Sequence, residues 1–268
     1  MKTIEMKSIK ILGLLGLAWL TAAFSLTGQS AAENYIAQRT YIDTLGHYTT
    51  TIRYFDGLGR PSRTVQKNAV SEGIDLVTAT QYDSQGRDSV VWLPVEGHDG
   101  LPLTDAEIRL QAAALYNGDS RPYSLNLYEA SALNRISKNF GPGEAWAAAG
   151  KSVNTTYQSN SLTDSTLICR RYGVKDACTL EKKGDYPAAS LDVTEVKDED
   201  GHRTLTFKNT FGQVLLIRSF AGAGSATPLD TYYVYDAHGM LCWVLPPLAS
   251  DALAADGEYD WNTEVVPL

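Results

Sequence analysis

The chain has 268 residues, 44% of them hydrophobic, with 31 acidic against 23 basic side chains and a formal net charge of −8. That length allows one sizeable core or two small ones. The acidic balance argues against nucleic acid and anionic membrane surfaces as partners, since both attract basic patches; its simplest use is solubility.

Residues 1–32 read as a secretory signal peptide. Lys2, Lys7 and Lys10 form a positive start, Ile11 to Phe24 is uncharged and mostly apolar, and Ser30-Ala31-Ala32 offers small residues for cleavage after Ala32. Ile11 to Gly28 also approaches the length of an uncleaved anchor, but Thr21, Ser25, Thr27 and the small-residue site favour cleavage. No Cys lies near position 30 to carry a lipid. Losing three Lys and one Glu takes the net charge to about −10. No other segment is apolar enough to span a membrane, so the expected location is periplasmic, cell-surface or secreted.

Residues 33–93 form a first block of strands and turns. Thr49-Thr50-Thr51-Ile52-Arg53-Tyr54 precedes Asp56, and Ser89-Val90-Val91-Trp92-Leu93 follows Gly86. β-branched and aromatic runs bounded by Asp/Gly turns predict β-hairpins. Residues 94–160 read as an insertion with short helices. Thr104-Asp105-Ala106-Glu107 is a capping box, Ile108, Ala112 and Leu115 follow at helical spacing, and Asn117-Gly118 stops the run. This predicts a helix over 105–116, with another helical turn over 144–149. Residues 161–249 form a second hairpin block, interrupted by a flexible loop at 221–229. A ragged tail, 250–268, opens with a helical turn.

One phrase recurs through both blocks: an aromatic residue, Asp or Asn, two variable residues, then Gly. The clearest copies end at Asp56 and Gly59, Asp83 and Gly86, and Asp236 and Gly239; looser ones join Asp43 to Gly46, Asp198 to Gly201 and Asn209 to Gly212. Asp or Asn opens such a turn because its side chain bonds a backbone N–H two residues on. Gly closes it because it enters positive φ without a clash. The first three anchors are 13 and 27 residues apart and the last three 11 and 27. The pattern reads as one three-turn block used twice in a mainly β chain: an antiparallel hairpin or ribbon array of YD-type repeats with a small helical insertion.

These residues resemble the YD-repeat, or RHS, family of large bacterial secreted and surface proteins. The resemblance rests on Tyr54-Phe55-Asp56-Gly57-Leu58-Gly59-Arg60-Pro61 and on Tyr232 to Leu241 followed by Val244-Leu245-Pro246-Pro247. Tyr128 to Arg135 and Gly141-Pro142-Gly143-Glu144-Ala145-Trp146 resemble the uncharacterised domain at the N-terminal end of such proteins. The family implies a β-ribbon that spirals into a hollow shell, which in relatives encloses a C-terminal toxin or effector. This sequence carries no self-cleaving core motif or toxin domain. The implied function is a non-enzymatic, exported shell or cap module, from a truncated or split gene, whose partners are the remaining repeats or a surface component.

Direct signs of chemistry are few. His47, His202 and His238 flank turn glycines, and His98 lies in a Gly-rich loop; solvated turn residues are the simplest reading. The nucleophile-elbow, zinc-protease, P-loop and dinucleotide motifs are missing. Asp198-Glu199-Asp200-Gly201 lacks the spaced ligands of a calcium loop. Asp83 with Asp88, or Asp236 with Glu258, is not placed across a cleft by anything in the sequence. The expectation is no catalytic residue, metal or cofactor. In an oxidising compartment Cys169 and Cys178 are a candidate disulfide, because the loop between them is hairpin-sized. Spacing does not fix the geometry, so bridge and free thiols both stay open. Cys242 is expected to be buried between Leu241 and Trp243. The competing reading is a glycan- or cell-surface-binding module with Trp92, Trp146 and Trp243 exposed for sugar stacking; a secreted hydrolase is the third. Aromatic residues in a repeat β-structure more often form core.

Overall fold

The structure is a computed structural model that describes residues 2–6, 33–175, 179–253 and 257–260. It is mainly antiparallel β. The chain divides into two compact units, residues 1–127 with 132–134 and 140–150, and residues 128–131 with 135–139 and 151–268. The apolar run expected to direct export, and the site after Ala32, lie outside the described residues. Among the described residues no helix is long and apolar enough to cross a membrane.

In the first unit β1 (Lys2–Met6), β2 (Asn34–Tyr41), β3 (Tyr48–Phe55), β4 (Pro61–Ser71), β5 (Ile74–Tyr82) and β6 (Asp88–Trp92) form an antiparallel meander, each bonded to the next. β1 therefore falls within the expected leader. Leu93 and Pro94 then interrupt the ladder, as a residue without an N–H must. β7 (Val95–Gly97) resumes it against Asp75 to Val77. α1 (Asp105–Leu115) follows, then β8 (Tyr123–Tyr128), paired with β6, and the short α2 (Glu144–Ala148).

Alternation along these strands turns Ala37, Ile52, Tyr54, Val65, Val77, Ala79 and Trp92 inward, where Ile108 and Ala112 of α1 join their core. The two helical residues are four apart and so share a face. The expected capping box is made: Thr104 Oγ1 accepts from Glu107 N, and the Glu107 carboxylate accepts from Thr104 N at 2.8 Å. Burying Ile108 contributes roughly 2 kcal/mol.

In the second unit β9 (Ile136–Phe140), β10 (Val153–Ser159), β13 (Asp192–Lys197), β14 (Arg203–Lys208), β15 (Val214–Phe220), β16 (Pro228–Tyr235) and β17 (Leu241–Leu245) lie side by side in that order. Between β10 and β13 the chain forms β11 (Arg170–Val174) and β12 (Thr179–Asp185), which make a separate sheet with β18 (Gly257–Asp260). α3 (Pro247–Ala252) follows β17. The core gathers Cys169, Leu180, Val193, Leu205, Phe207, Leu216, Tyr232, Trp243 and Leu245.

The ladders of the two blocks are alike at three of their four connections; the third shifts register between Gln66 and Ser71 in β4–β5 and not at all in β15–β16. β2–β6 and β13–β17 are both five-stranded meanders. In each, the first connection leaves the register unbroken. The second and the last carry a bulge, at Tyr54/Phe55 and Gln81/Tyr82 in one and at Phe207/Lys208 and Val234/Tyr235 in the other. The last bulge corrects one expectation. It leaves Cys242 as the extra residue of β17, exposed, while Trp243 and Leu245 take the inward positions.

Candidate functional site

The six predicted turns share one bonding scheme. In five of them, starting at Asp56, Asp83, Asp198, Asn209 and Asp236, the anchor N–H donates to the carbonyl four residues on, at 2.8–3.1 Å, and the glycine N–H donates back to the anchor carbonyl. The Asp43 turn closes one step outward, with Ile42 N donating to His47 O at 2.8 Å. In all six the anchor Oδ1 accepts from the second and fourth following N–H groups; for Asp56 these are Leu58 N and Arg60 N, both at 2.9 Å. Gly46, Gly59, Gly86, Gly201, Gly212 and Gly239 all have φ between 78° and 93°, where a Cβ would strain the backbone. These donated bonds favour the ionised carboxyl. Asp56, Asp83, Asp198 and Asp236 are held below the usual carboxylate value, first by the backbone N–H of Arg60, Arg87, His202 and Met240. Asp43 is lowered first by the His47 side chain.

Sequence reasoning missed the residue after the glycine. Its side chain reaches back to the anchor in five turns: His47 to Asp43, Arg60 to Asp56, Arg87 to Asp83, His202 to Asp198 and, through Asn209 Nδ2, Gln213. Met240 holds this place in the sixth. The signal was available, since four of these six side chains are basic. The same residue also joins neighbouring turns in each meander. Arg60 lies 4.1 Å over the Tyr82 ring, and Gln213 Nε2 donates to Gly239 O at 3.1 Å.

The meanders also use polar side chains to fix covering segments. In the first, buried Asp75 accepts from Asn68 N at 2.8 Å and Gly100 N at 2.6 Å, while the Tyr54 hydroxyl donates to Gly100 O at 2.6 Å. Arg63 donates to Leu103 O at 2.8 Å and pairs with Asp105. In the second, Arg218 and Asp230 form a buried two-pronged ion pair, both bonds 2.7 Å. Arg218 also donates to Ser165 O and Thr166 O, at 3.2 and 2.8 Å. Burial opposes the guanidinium charge, but Asp230 outweighs it and the group stays above its usual range.

The stripe of exposed tryptophans that the competing glycan-binding reading requires does not form; two of the three take the core positions expected of aromatics in such a β-structure. Trp92 and Trp243 are 7% and 9% exposed and belong to the two cores, because both face inward from their strands; only Trp146 of these three is exposed. Cys169 is buried, and burial pushes its thiol up; its expected partner Cys178 lies outside the described residues. Asp83 uses both carboxylate oxygens on its own turn. No group of three or more His, Cys, Asp or Glu that could hold a metal occurs among the described residues.

The first unit contains a cavity of about 530 Å³ beside Trp92. It is lined by Gln81 of β5, Val90 and Trp92 of β6, Arg109 of α1, Asp119 of the following loop and Tyr123 of β8, among others. The Trp92 and Tyr123 ring centroids are 4.9 Å apart. A cavity of about 190 Å³ in the second unit is lined by Arg170, Tyr172, Tyr186 and Tyr235 and by the anchors Asn209 and Asp236.

A family profile described as "Domain of unknown function (DUF6443)" matches residues 25–159. No curated protein matches. A similar solved structure, titled "Crystal Structure of TcdB2-TccC3", gives a TM-score of 0.48 at 14% identity over 82% of this chain and 10% of that one. The chain thus spans about a tenth of the length of the solved chain it matches.

Proposed function

The chain belongs to the family described as a domain of unknown function, DUF6443, and from that premise we propose that it is a non-enzymatic, exported shell or cap module of an RHS-type (YD-repeat) surface or toxin-delivery protein. The observation that carries the reading is the sixfold turn, set out twice in the same order of unbroken, bulged and bulged connections. Five of the turns close a hairpin with bonds made inside five residues and the Asp43 turn inside six, so strands add laterally without a dedicated partner for each. That is how a wall is built from a repeated unit. The inner faces are packed: α1 joins the first core, and Leu253 beyond α3 joins the second.

The partners under this reading are further repeats of the same kind. Two measurements test it. N-terminal sequencing of the chain recovered from the envelope or medium of a Gram-negative host is expected to start at Glu33. Mixing the full chain with a purified polypeptide of additional YD repeats is expected to give one co-eluting complex in size-exclusion chromatography. An intact, intracellular chain that elutes unchanged from the mixture overturns the proposal.

A further inference from the structure

The two meanders differ at their last strand. β6 and β17 are equivalent: Val90, Val91 and Trp92 stand in one ladder where Trp243, Val244 and Leu245 stand in the other. In both, a proline, Pro94 or Pro246, ends the ladder before a helix, α1 or α3. β6 is nevertheless covered on its outer side. β8 returns antiparallel to it, with Leu125 opposite Val90, Ser124 opposite Val91 and Tyr123 opposite Trp92. Side chains reinforce that pairing: Ser124 Oγ donates to Val91 O at 3.4 Å, and Ser89 Oγ donates to Asn126 O at 3.3 Å. Among the described residues β17 pairs with β16 alone, and no strand takes the place of β8. Proteins guard open edges with charge, with proline inside the strand or with a bulge. Here the covered strand is the charged one: β6 carries Asp88, whereas open β17 has Leu241 in its place and no charged residue at all. Leu241 and Val244 are each 50% exposed. The bulge at Cys242 is no guard, because the matching bulge at Ser89 leaves β6 able to pair with β8.

We propose that the open edge of β17 is the docking site for one antiparallel strand of the β8 kind, with bulky side chains opposite Trp243 and Leu245 and a small hydroxyl residue opposite Val244. The source of that strand, further repeats of the same kind, rests on the shell reading; its direction and register follow from the sister meander. Main-chain bonds along the edge supply affinity, and the alternate side chains supply selection. Cys242 takes the place of Ser89, so its exposed thiol lies beside the position equivalent to Asn126 on the incoming strand.

The probe is a fluorescein-labelled peptide with the sequence of residues 121–130, titrated into the full chain and followed by anisotropy. Saturable binding is expected, with a scrambled peptide at least tenfold weaker. Val244→Lys puts a charge on the exposed edge and is expected to weaken binding tenfold or more in a chain whose melting temperature is unchanged. Cross-linking in a glutathione redox buffer, with Cys178→Ser in the chain, reads the register. A peptide carrying Asn126→Cys is expected to join Cys242 at least tenfold faster than one carrying Ser124→Cys, since only the first brings the Cα atoms within the ~7 Å a disulfide spans. Absence of binding at millimolar peptide, equal binding of the scrambled peptide, unchanged binding by Val244→Lys or equal cross-linking of the two cysteine peptides overturns the proposal. So does a full chain that elutes as a dimer and becomes a monomer on Val244→Lys, which would give the edge to a second copy. The shell reading fails separately. Peptide binding by a chain that is never exported sinks only that reading, and co-elution with YD repeats without peptide binding sinks only this proposal.

Discussion

Val65 and Val77 stand opposite one another on β4 and β5, fully buried; the equivalent places on β15 and β16 hold Arg218 and Asp230, which form an ion pair. The turns flanking the two pairs match, but the connection between the strands does not: β4–β5 shift register between Gln66 and Ser71, whereas β15–β16 pair without a shift. The difference lies in what each meander must cover. Loop residues Ser165 and Thr166 present carbonyls to the second sheet, and Arg218 answers them. The first sheet meets its covering segment through Tyr54, Asp75 and Arg63 instead, which frees the 65–77 pair to be apolar. A duplicated scaffold thus keeps its turns and rewrites its interior to suit the segment packed on it.

The largest effect is expected from breaking the ion pair. Arg218→Met leaves the buried Asp230 carboxylate with the Tyr232 hydroxyl but no counter-charge and is expected to cost about 3–5 kcal/mol in urea unfolding. The double change Arg218→Val with Asp230→Val copies the first meander and is expected to recover most of that loss, while proteolysis at residues 161–167 quickens. A double variant no better than the single one would mean that the two interiors are not interchangeable. Gly100→Ala comes next, at ~2–4 kcal/mol. Its φ is +70°, and a Cβ would meet Ile52 Cδ1, fully buried, at 2.9 Å. Gly46→Ala has open space around it and is expected to show only the backbone strain, roughly 1–2 kcal/mol.

Tyr54→Phe gives the first meander the ring its sister has at Phe207 and orphans the Gly100 carbonyl; thermal unfolding should register about 1–2 kcal/mol. Acid sharpens the comparison of turns. The turn aspartates titrate lower folded than unfolded, so their contribution is present above the unfolded value, about 3.9, and is lost as pH falls through the folded value. Unfolding midpoints are therefore expected to fall below about pH 4, and Asp236→Asn should reduce the drop, since Asn209 already builds the turn without a charge. The smallest expected change is a gain. Met240→Arg supplies the reach-back side chain missing from the sixth turn and should raise the melting temperature slightly.

Local features were legible in the sequence. All six anchors and glycines form the predicted turns, and the Thr104 capping box starts α1 as expected, because each is decided by residues within four positions. Features set by distant partners were not. The Cys242 position depends on a bulge measured against Val234, and the burial of Trp92 depends on a helix that arrives later in the chain. Arg218 and Asp230 sit in strand patterns that read as ordinary surface charges until the two meanders are compared position by position.

The turn has one further consequence, for how such a chain comes into being. Its hydrogen bonds close as soon as five or six residues have emerged, and each new strand of a meander pairs with the one just before it. Contacts that are local in sequence form early. A polypeptide built this way can acquire structure in the order in which it leaves a ribosome or a secretion pore, hairpin by hairpin. It need not wait for its far end before its first strands find partners.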